Sequence, residues 1–292
     1  MLLRIATGLI LIPLVAALVW WGPPEAVAAV AGAIALMALW EFFTLGEREG
    51  LPGFRKWTML CAAGIFYAQY ARATVETHSL AGGTVLMRGG DLASVALELV
   101  LLAFALGAAA IGVGTRRPLQ DVLPAIAISS AGLLLVALPF SYLVRLNELE
   151  AASFRGGRTG RQLVLLTLCV VWAGDTMAYF VGKSLGRMPM APVLSPKKTW
   201  EGAIANFAAS LLIAVFFARW MRVETVNLLV IAGVANIAGQ AGDLIESAYK
   251  RGAVVKDSGT LLPGHGGILD RIDSLILAAP VVWILWNFMD WR

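Results

Sequence analysis

The chain has 292 residues, of which 59% are hydrophobic and only 14% charged, with a mean hydropathy of +0.77; soluble domains carry about a quarter of charged residues. That composition excludes an ordinary soluble domain and predicts an all-α polytopic membrane protein. The formal charge of +4 and pI near 9.3 do not point to nucleic acid, because the basic residues are scattered between apolar runs without a basic tail or interleaved aromatics; they read as charges that orient spans.

Apolar runs cover residues 5–22, 26–45, 57–73, 92–114, 122–144, 162–182, 202–220, 226–247 and 274–290. Each is close to the ~20 residues that cross a bilayer as a helix, so about nine transmembrane helices are expected. The first run, interrupted only by Pro13, is a full span without a small-residue cleavage site and reads as a retained helix, not a signal peptide. Trp20, Trp21, Trp40 and Trp57 fall at span ends, where indole rings favour the headgroup zone. Glu41 and Glu98 sit in apolar surroundings near helix ends, and a functional role and interfacial solvation are both open for them. Gln69 and Arg72 interrupt the third run, and 74–91, with His78, Gly82, Gly83, Gly89 and Gly90, reads as an external loop in which His78 has no assigned role. Cys61 and Cys169 each stand alone in an apolar run, without ligand spacing.

Nine spans put every lysine (Lys56, Lys183, Lys197, Lys198, Lys250 and Lys256) on the side of the N-terminus. The positive-inside rule then predicts a cytoplasmic N-terminus, an external C-terminus, and cytoplasmic loops at 183–201 and 248–273. Residues 1–160 form an N-terminal region of about five spans with little motif content, and 161–292 a catalytic region of about four. No internal repeat or low-complexity linker divides the chain.

Chemistry-bearing residues concentrate after residue 170. Asp175 lies within the sixth span, where an ionised carboxylate costs several kcal/mol unless paired, hydrated or metal-bound. The segment Ser195-Pro196-Lys197-Lys198-Thr199-Trp200-Glu201-Gly202 puts two ammonium groups beside the start of the seventh helix, with Pro196 predicting a rigid turn; helix N-termini and lysines both attract phosphate. Asp243 and Ser247, four apart, share one face of the eighth helix with Glu246 and Lys250 nearby, and carboxylate plus hydroxyl oxygen suits a hard cation such as Mg²⁺. Beyond them come Lys250, Arg251, Lys256 and Asp257, the turn Pro263-Gly264-His265-Gly266-Gly267, then Asp270, Arg271 and Asp273. Glycines around one histidine let backbone N–H groups approach a phosphate, while acids facing bases suit a metal-bridged polyphosphate. The residues alone imply a metal-dependent phosphate site facing the cytoplasm.

The stretch from Ser247 through Lys250-Arg251, Lys256-Asp257, Gly259, Leu262-Pro263, His265-Gly266-Gly267 and Asp270-Arg271 to Asp273 resembles the signature of the phosphatidate cytidylyltransferases, also called CDP-diacylglycerol synthases. Tyr249 departs from it, an aliphatic residue being usual there. Asp175 with Tyr179-Phe180 and Gly182, and the 195–202 segment, are similar to weaker patterns of that family. The resemblance implies an all-helical, dimeric enzyme of the bacterial inner membrane, with its active site near the cytoplasmic interface. Its reaction would join CTP and phosphatidate into CDP-diacylglycerol and pyrophosphate, for phospholipid biosynthesis, with Mg²⁺ and room for a second cation.

On that resemblance Asp243 and Asp270 hold the metal, with Ser247 as a further oxygen ligand. Lys197, Lys198, Lys250, Arg251, Lys256 and Arg271 share the triphosphate and the phosphatidate head, with Ser195, Gly264, Gly266 and Gly267 lining the substrate. Asp175, Asp257 and Asp273 either orient the bases or add to the metal site, and His265 either donates to a phosphate or protonates the leaving pyrophosphate. A CTP-dependent lipid kinase of the polyprenol type would use comparable groups, and a transporter could line an ion path with Asp175 and Asp243; paired broken helices in both halves, which a transporter would show, are not visible.

Overall fold

Helices occupy each of the nine segments that hydropathy marks. A computed structural model describes residues 2–80, 95–115, 118–149, 158–261 and 266–289. In chain order these form α1 (Leu2–Trp21), α2 (Pro24–Arg48), α3 (Arg55–Leu80) and α4 (Ala96–Gly114). They continue as α5 (Leu119–Asn147), α6 (Thr159–Leu185), α7 (Trp200–Met221), α8 (Thr225–Gly252) and α9 (Leu269–Phe288). Six of them, α2 and α4 to α8, are long and apolar enough to cross a membrane. The chain is an all-α integral membrane protein, its one departure among the described residues being a short antiparallel hairpin of β1 (Pro189–Ala191) and β2 (Ser195–Thr199).

The departures from expectation have local causes. No glycine or proline stops α3 before Leu80, so residues 74–80 belong to the helix and not to an external loop; 81–91 lie outside the described residues. Gln69 is tolerated in α3 because its Nε2 donates to Ser141 Oγ of α5 at 3.2 Å inside the bundle, and Arg72 meets Glu98 at 3.5 Å. Within α5, Pro139 lacks the N–H that the carbonyl one turn back would accept, and the backbone widens into a π turn over Leu133–Ala137. Pro196 does not form a turn: Ser195–Thr199 is extended, and Thr199 Oγ1 caps α7 by accepting from Gly202 N at 3.2 Å.

The core runs through Leu39 and Phe43 of α2, Ile65 of α3, Leu133 and Leu146 of α5, Leu163 and Leu166 of α6, Ile231 of α8 and Leu269 of α9, all fully buried. Leu106, Val113, Leu212, Phe216 and Ile237 point outward, as they can at no cost against lipid tails. α6 packs on α7 and α8 on α9, so the C-terminal ends of α6 and α8, the hairpin, and the N-terminal ends of α7 and α9 meet at one end of the bundle.

α8 ends in a Schellman motif: Val254 N donates to Arg251 O at 3.1 Å and Val255 N to Lys250 O at 2.9 Å. The residue that must turn left-handed for this, normally glycine, is Val254 at φ +54. Val254→Gly should therefore raise stability by up to about 1 kcal/mol, read as a higher thermal midpoint in detergent; a lower midpoint would show that the valine is not strained.

Candidate active site

Two glycines bring the acidic helices together. A Cβ on Gly242 of α8 would lie 2.4 Å from the carbonyl oxygen of Asp273, and one on Gly239 would lie 3.3 Å from that of Ser274. Only a bare backbone on α8 lets α9 come this close. The contact sets Asp243 and Glu246 beside Asp273, and the three offer carboxylate oxygens all within 4.8 Å of one another.

Two lysines answer these acids differently. Lys198, on β2, reaches Asp243 Oδ2 at 2.5 Å with both side chains partly open to solvent. Lys250, one turn on from Glu246, is buried; it touches the Glu246 carboxylate and donates to Asp270 Oδ1 at 2.6 Å. Asp270 Oδ2 accepts from the backbone N–H groups of Ser258 (3.0 Å) and Gly267 (2.8 Å), so this carboxylate anchors the connection between α8 and α9.

Asp175 stands about 15 Å from the end of α6. Asn206 Nδ2 of α7 donates to its Oδ1 at 3.3 Å, Asn236 Nδ2 of α8 donates to Asn206 Oδ1 and to Ser210 Oγ, and Gln240 Nε2 donates to Asn236 Oδ1 at 2.7 Å. This amide ladder holds the Asp175 carboxylate in one orientation and satisfies the buried polar groups of Asn206, Ser210 and Asn236. Asp175, Lys197, Lys198, Asn206, Gln240 and Asp243 line one cavity of about 260 Å³, which also takes in apolar Ala178, Tyr179 and Leu244.

The hairpin is fixed at both ends. Glu201, in the first turn of α7, accepts from the backbone N–H groups of Arg187 (3.0 Å) and Met188 (3.2 Å). Arg251 donates from Nε to Leu194 O at 3.1 Å and from Nη1 to Val255 O at 3.0 Å, tying the hairpin to the end of α8.

Of the residues singled out in the sequence, Asp175, Lys197, Lys198 and Asp243 share the cavity, and Asp273 joins Asp243 in the carboxylate cluster. Asp270 and Lys250 form the neighbouring ion pair, and Ser247 is buried one turn on from Asp243. Ser195 opens β2, and Lys256, Asp257 and Arg271 are exposed near the site. Gly266 takes φ +80, which its lack of a Cβ permits, and Gly267 supplies the N–H on Asp270. Gly264 and His265 lie outside the described residues. Glu98 is paired with Arg72, away from the site, whereas Glu41 is buried and turned toward the connection that leads into Asp270.

Sequence reading missed the amide ladder and the place of Glu246 in the carboxylate cluster. A signal was present: Asn236 and Gln240 extend the Asp243–Ser247 stripe of α8 backward at helical spacing. Asn206 and Ser210 repeat that spacing on α7. At this end five carboxylates, Asp175, Asp243, Glu246, Asp270 and Asp273, gather beside two lysines: Lys198 engages Asp243, and Lys250 engages Glu246 and Asp270. An all-oxygen, carboxylate-rich set fits a hard divalent cation.

Comparison with known proteins bears on this arrangement. The model of the cytidylyltransferase family matches residues 2–289. The chain is 38% identical over 152 residues to the phosphatidate cytidylyltransferase of Bacillus subtilis, covering 51% of this chain and 54% of that protein. It is 43% identical over 129 residues to the one from Staphylococcus haemolyticus (43% and 49%), and 34% over 170 residues to the one from Rickettsia prowazekii (56% and 71%). The chain thus spans about half the length of several curated relatives that it matches.

The two lysines should respond differently to replacement. Lys250→Met strands two buried carboxylates and should cost about 3–5 kcal/mol. Lys198→Met removes a half-open pair worth under ~1 kcal/mol. Chemical or thermal denaturation in detergent reads both; equal losses would contradict the division of labour.

Proposed function

The chain belongs to the cytidylyltransferase family, and from that premise we propose that it transfers the cytidylyl group of CTP to phosphatidate, giving CDP-diacylglycerol and pyrophosphate. The observation that carries this reading is the convergence of Asp243, Glu246 and Asp273 with Lys198 at a cavity near one end of a membrane bundle. At such an end a soluble nucleotide and a lipid phosphate can meet.

The reaction needs little proton transfer. A phosphate monoester is largely a dianion at neutral pH, its second pKa being about 6, so a phosphatidate oxygen can attack the α-phosphorus of CTP directly. The new P–O bond forms as the α–β phosphoanhydride bond breaks, and pyrophosphate leaves with the electron pair. Catalysis is positioning and charge neutralisation. Asp243 with Glu246 and Asp273, joined by Asp270 and Ser247 as the sequence resemblance implies, would hold Mg²⁺. When bound, with a second cation where one is needed, the metal supplies positive charge at the phosphate oxygens.

Lys198 trades its contact with Asp243 for a phosphate oxygen, and Lys197, Lys256 and Arg271, exposed around it, take the remaining oxygens of the triphosphate and of the lipid head. Lys250 keeps Asp270 and Glu246 in place from within. Arg251 acts through the hairpin it ties down. Asp175 faces the cavity from its amide ladder and orients the basic groups there. Gly266 and Gly267 offer bare backbone to the phosphates, with Asp257 and Ser195 beside them; the phosphate-facing roles of Gly264 and His265, which lie outside the described residues, rest on the sequence resemblance alone.

The nine helices all span the membrane in this reading, with the N-terminus in the cytoplasm, the C-terminus outside, and the site at the cytoplasmic face of the bacterial inner membrane. The one-sided placement of the lysines supports that orientation. Residues 161–292 supply the reacting groups while 1–160 brace them, and the family resemblance supports a homodimer.

Purified protein given CTP and phosphatidate with Mg²⁺ should form CDP-diacylglycerol and release pyrophosphate. Chelation should abolish both, and Asp243→Asn should lower turnover by roughly 10²-fold or more. Release of CDP with a phosphorylated alcohol would identify a lipid kinase and overturn the reading, as would absence of any cytidylylated lipid.

A further inference from the structure

Glu41 lies in α2, far from the C-terminal motifs in sequence, yet it is 3% exposed and aimed at them. Its Oε2 accepts from Ser258 Oγ at 2.8 Å and from the backbone N–H of Leu269 at 2.9 Å. Both partners adjoin Asp270. Leu269 precedes it, and Ser258 gives its own backbone N–H to Asp270 Oδ2 while its hydroxyl goes to Glu41. Ser258 is therefore a bridge between the two carboxylates.

Two glycines of the same segment are shaped around the Glu41 carboxylate. A Cβ on Gly259 would fall 2.2 Å from Oε1, and one on Gly267, whose N–H holds Asp270, would fall 2.3 Å from Oε2 and 2.1 Å from Ser258 Oγ. Among the described residues no lysine or arginine pairs with Glu41, and its Oε1 has no hydrogen-bond partner. A buried carboxylate without a cation opposes folding. What it gains is the fixing of both ends of the 258–269 connection.

We propose that Glu41 is a positioning residue for Asp270: it clamps Ser258 and Leu269, and through them sets the carboxylate that Lys250 and the connection present to the active site. The N-terminal half then does more than brace the bundle; it registers the connection between α8 and α9 against the helices. The catalytic part of this inference rests on the cytidylyl-transfer reading, whereas the clamp itself does not.

Hydrogen–deuterium exchange of the purified full chain without substrates tests the clamp independently of any reaction. In Glu41→Ala, peptides covering 258–269 should exchange on the order of tenfold faster, the loss of a buried hydrogen-bonding partner, while α6 and α7 keep their protection. Glu41→Gln, whose carbonyl oxygen still accepts both bonds, should stay near wild type, and Gly259→Ala, which displaces Glu41, should resemble Glu41→Ala. In the CTP-plus-phosphatidate assay, Glu41→Ala should lower kcat at least tenfold with little change in KM for CTP, and adding Ser258→Ala should cost little more. Unchanged 258–269 exchange in Glu41→Ala, or faster exchange spread evenly over all helices, would overturn the proposal, as would additive losses in the double variant. A wild-type chain with no transferase activity but with the expected exchange pattern would sink the function and keep the clamp.

Discussion

Carboxylates crowded beside fewer lysines inside an apolar bundle are the constraint on which the rest of this structure depends. Asp243, Glu246 and Asp273 are brought together by the glycine contact between α8 and α9, and carboxylates this close repel one another unless they are paired. Every neighbouring feature answers that problem in part. Lys250 neutralises from the buried side, Lys198 from the open side, and the amides of Asn206, Asn236 and Gln240 give Asp175 and one another the hydrogen bonds that lipid cannot. What remains uncompensated is the part a cation and its phosphates would complete.

The two lysines illustrate why burial decides role. Lys250 is enclosed, doubly engaged and one turn from Glu246, so moving it would expose two carboxylates to a low-dielectric interior. Lys198 sits on β2 of a hairpin that Glu201 and Arg251 fix at its two ends, and its pair with Asp243 opens onto the cavity. A group meant to exchange one anion for another has to be of the second kind. The hairpin thus presents a charge that opens onto the cavity from a fixed frame.

Much of this was legible in the sequence for a physical reason: hydropathy reports directly on contact with lipid, and helices lie over each of the segments it marked, six of them long and apolar enough to cross a membrane. The fixed spacing from Ser247 to Asp273 likewise exposed the charged segment, because ionised groups beside apolar runs are rare. The hairpin was hidden because its β pairing joins residues that Pro192 and Pro196 make look like a loop. The role of Glu41 was hidden more deeply. A single carboxylate near a helix end reads the same whether it faces water or a loop more than two hundred positions away, and only packing tells the two apart.

The central claim is that the carboxylate cluster and Lys198 form a cation-dependent triphosphate site. Titration calorimetry of CTP into the purified chain, without phosphatidate, measures that claim directly. CTP should bind in the presence of Mg²⁺, and that binding should be lost on chelation and in Asp243→Asn. Equal affinity with and without the cation, or an affinity unmoved by Asp243→Asn, would contradict it.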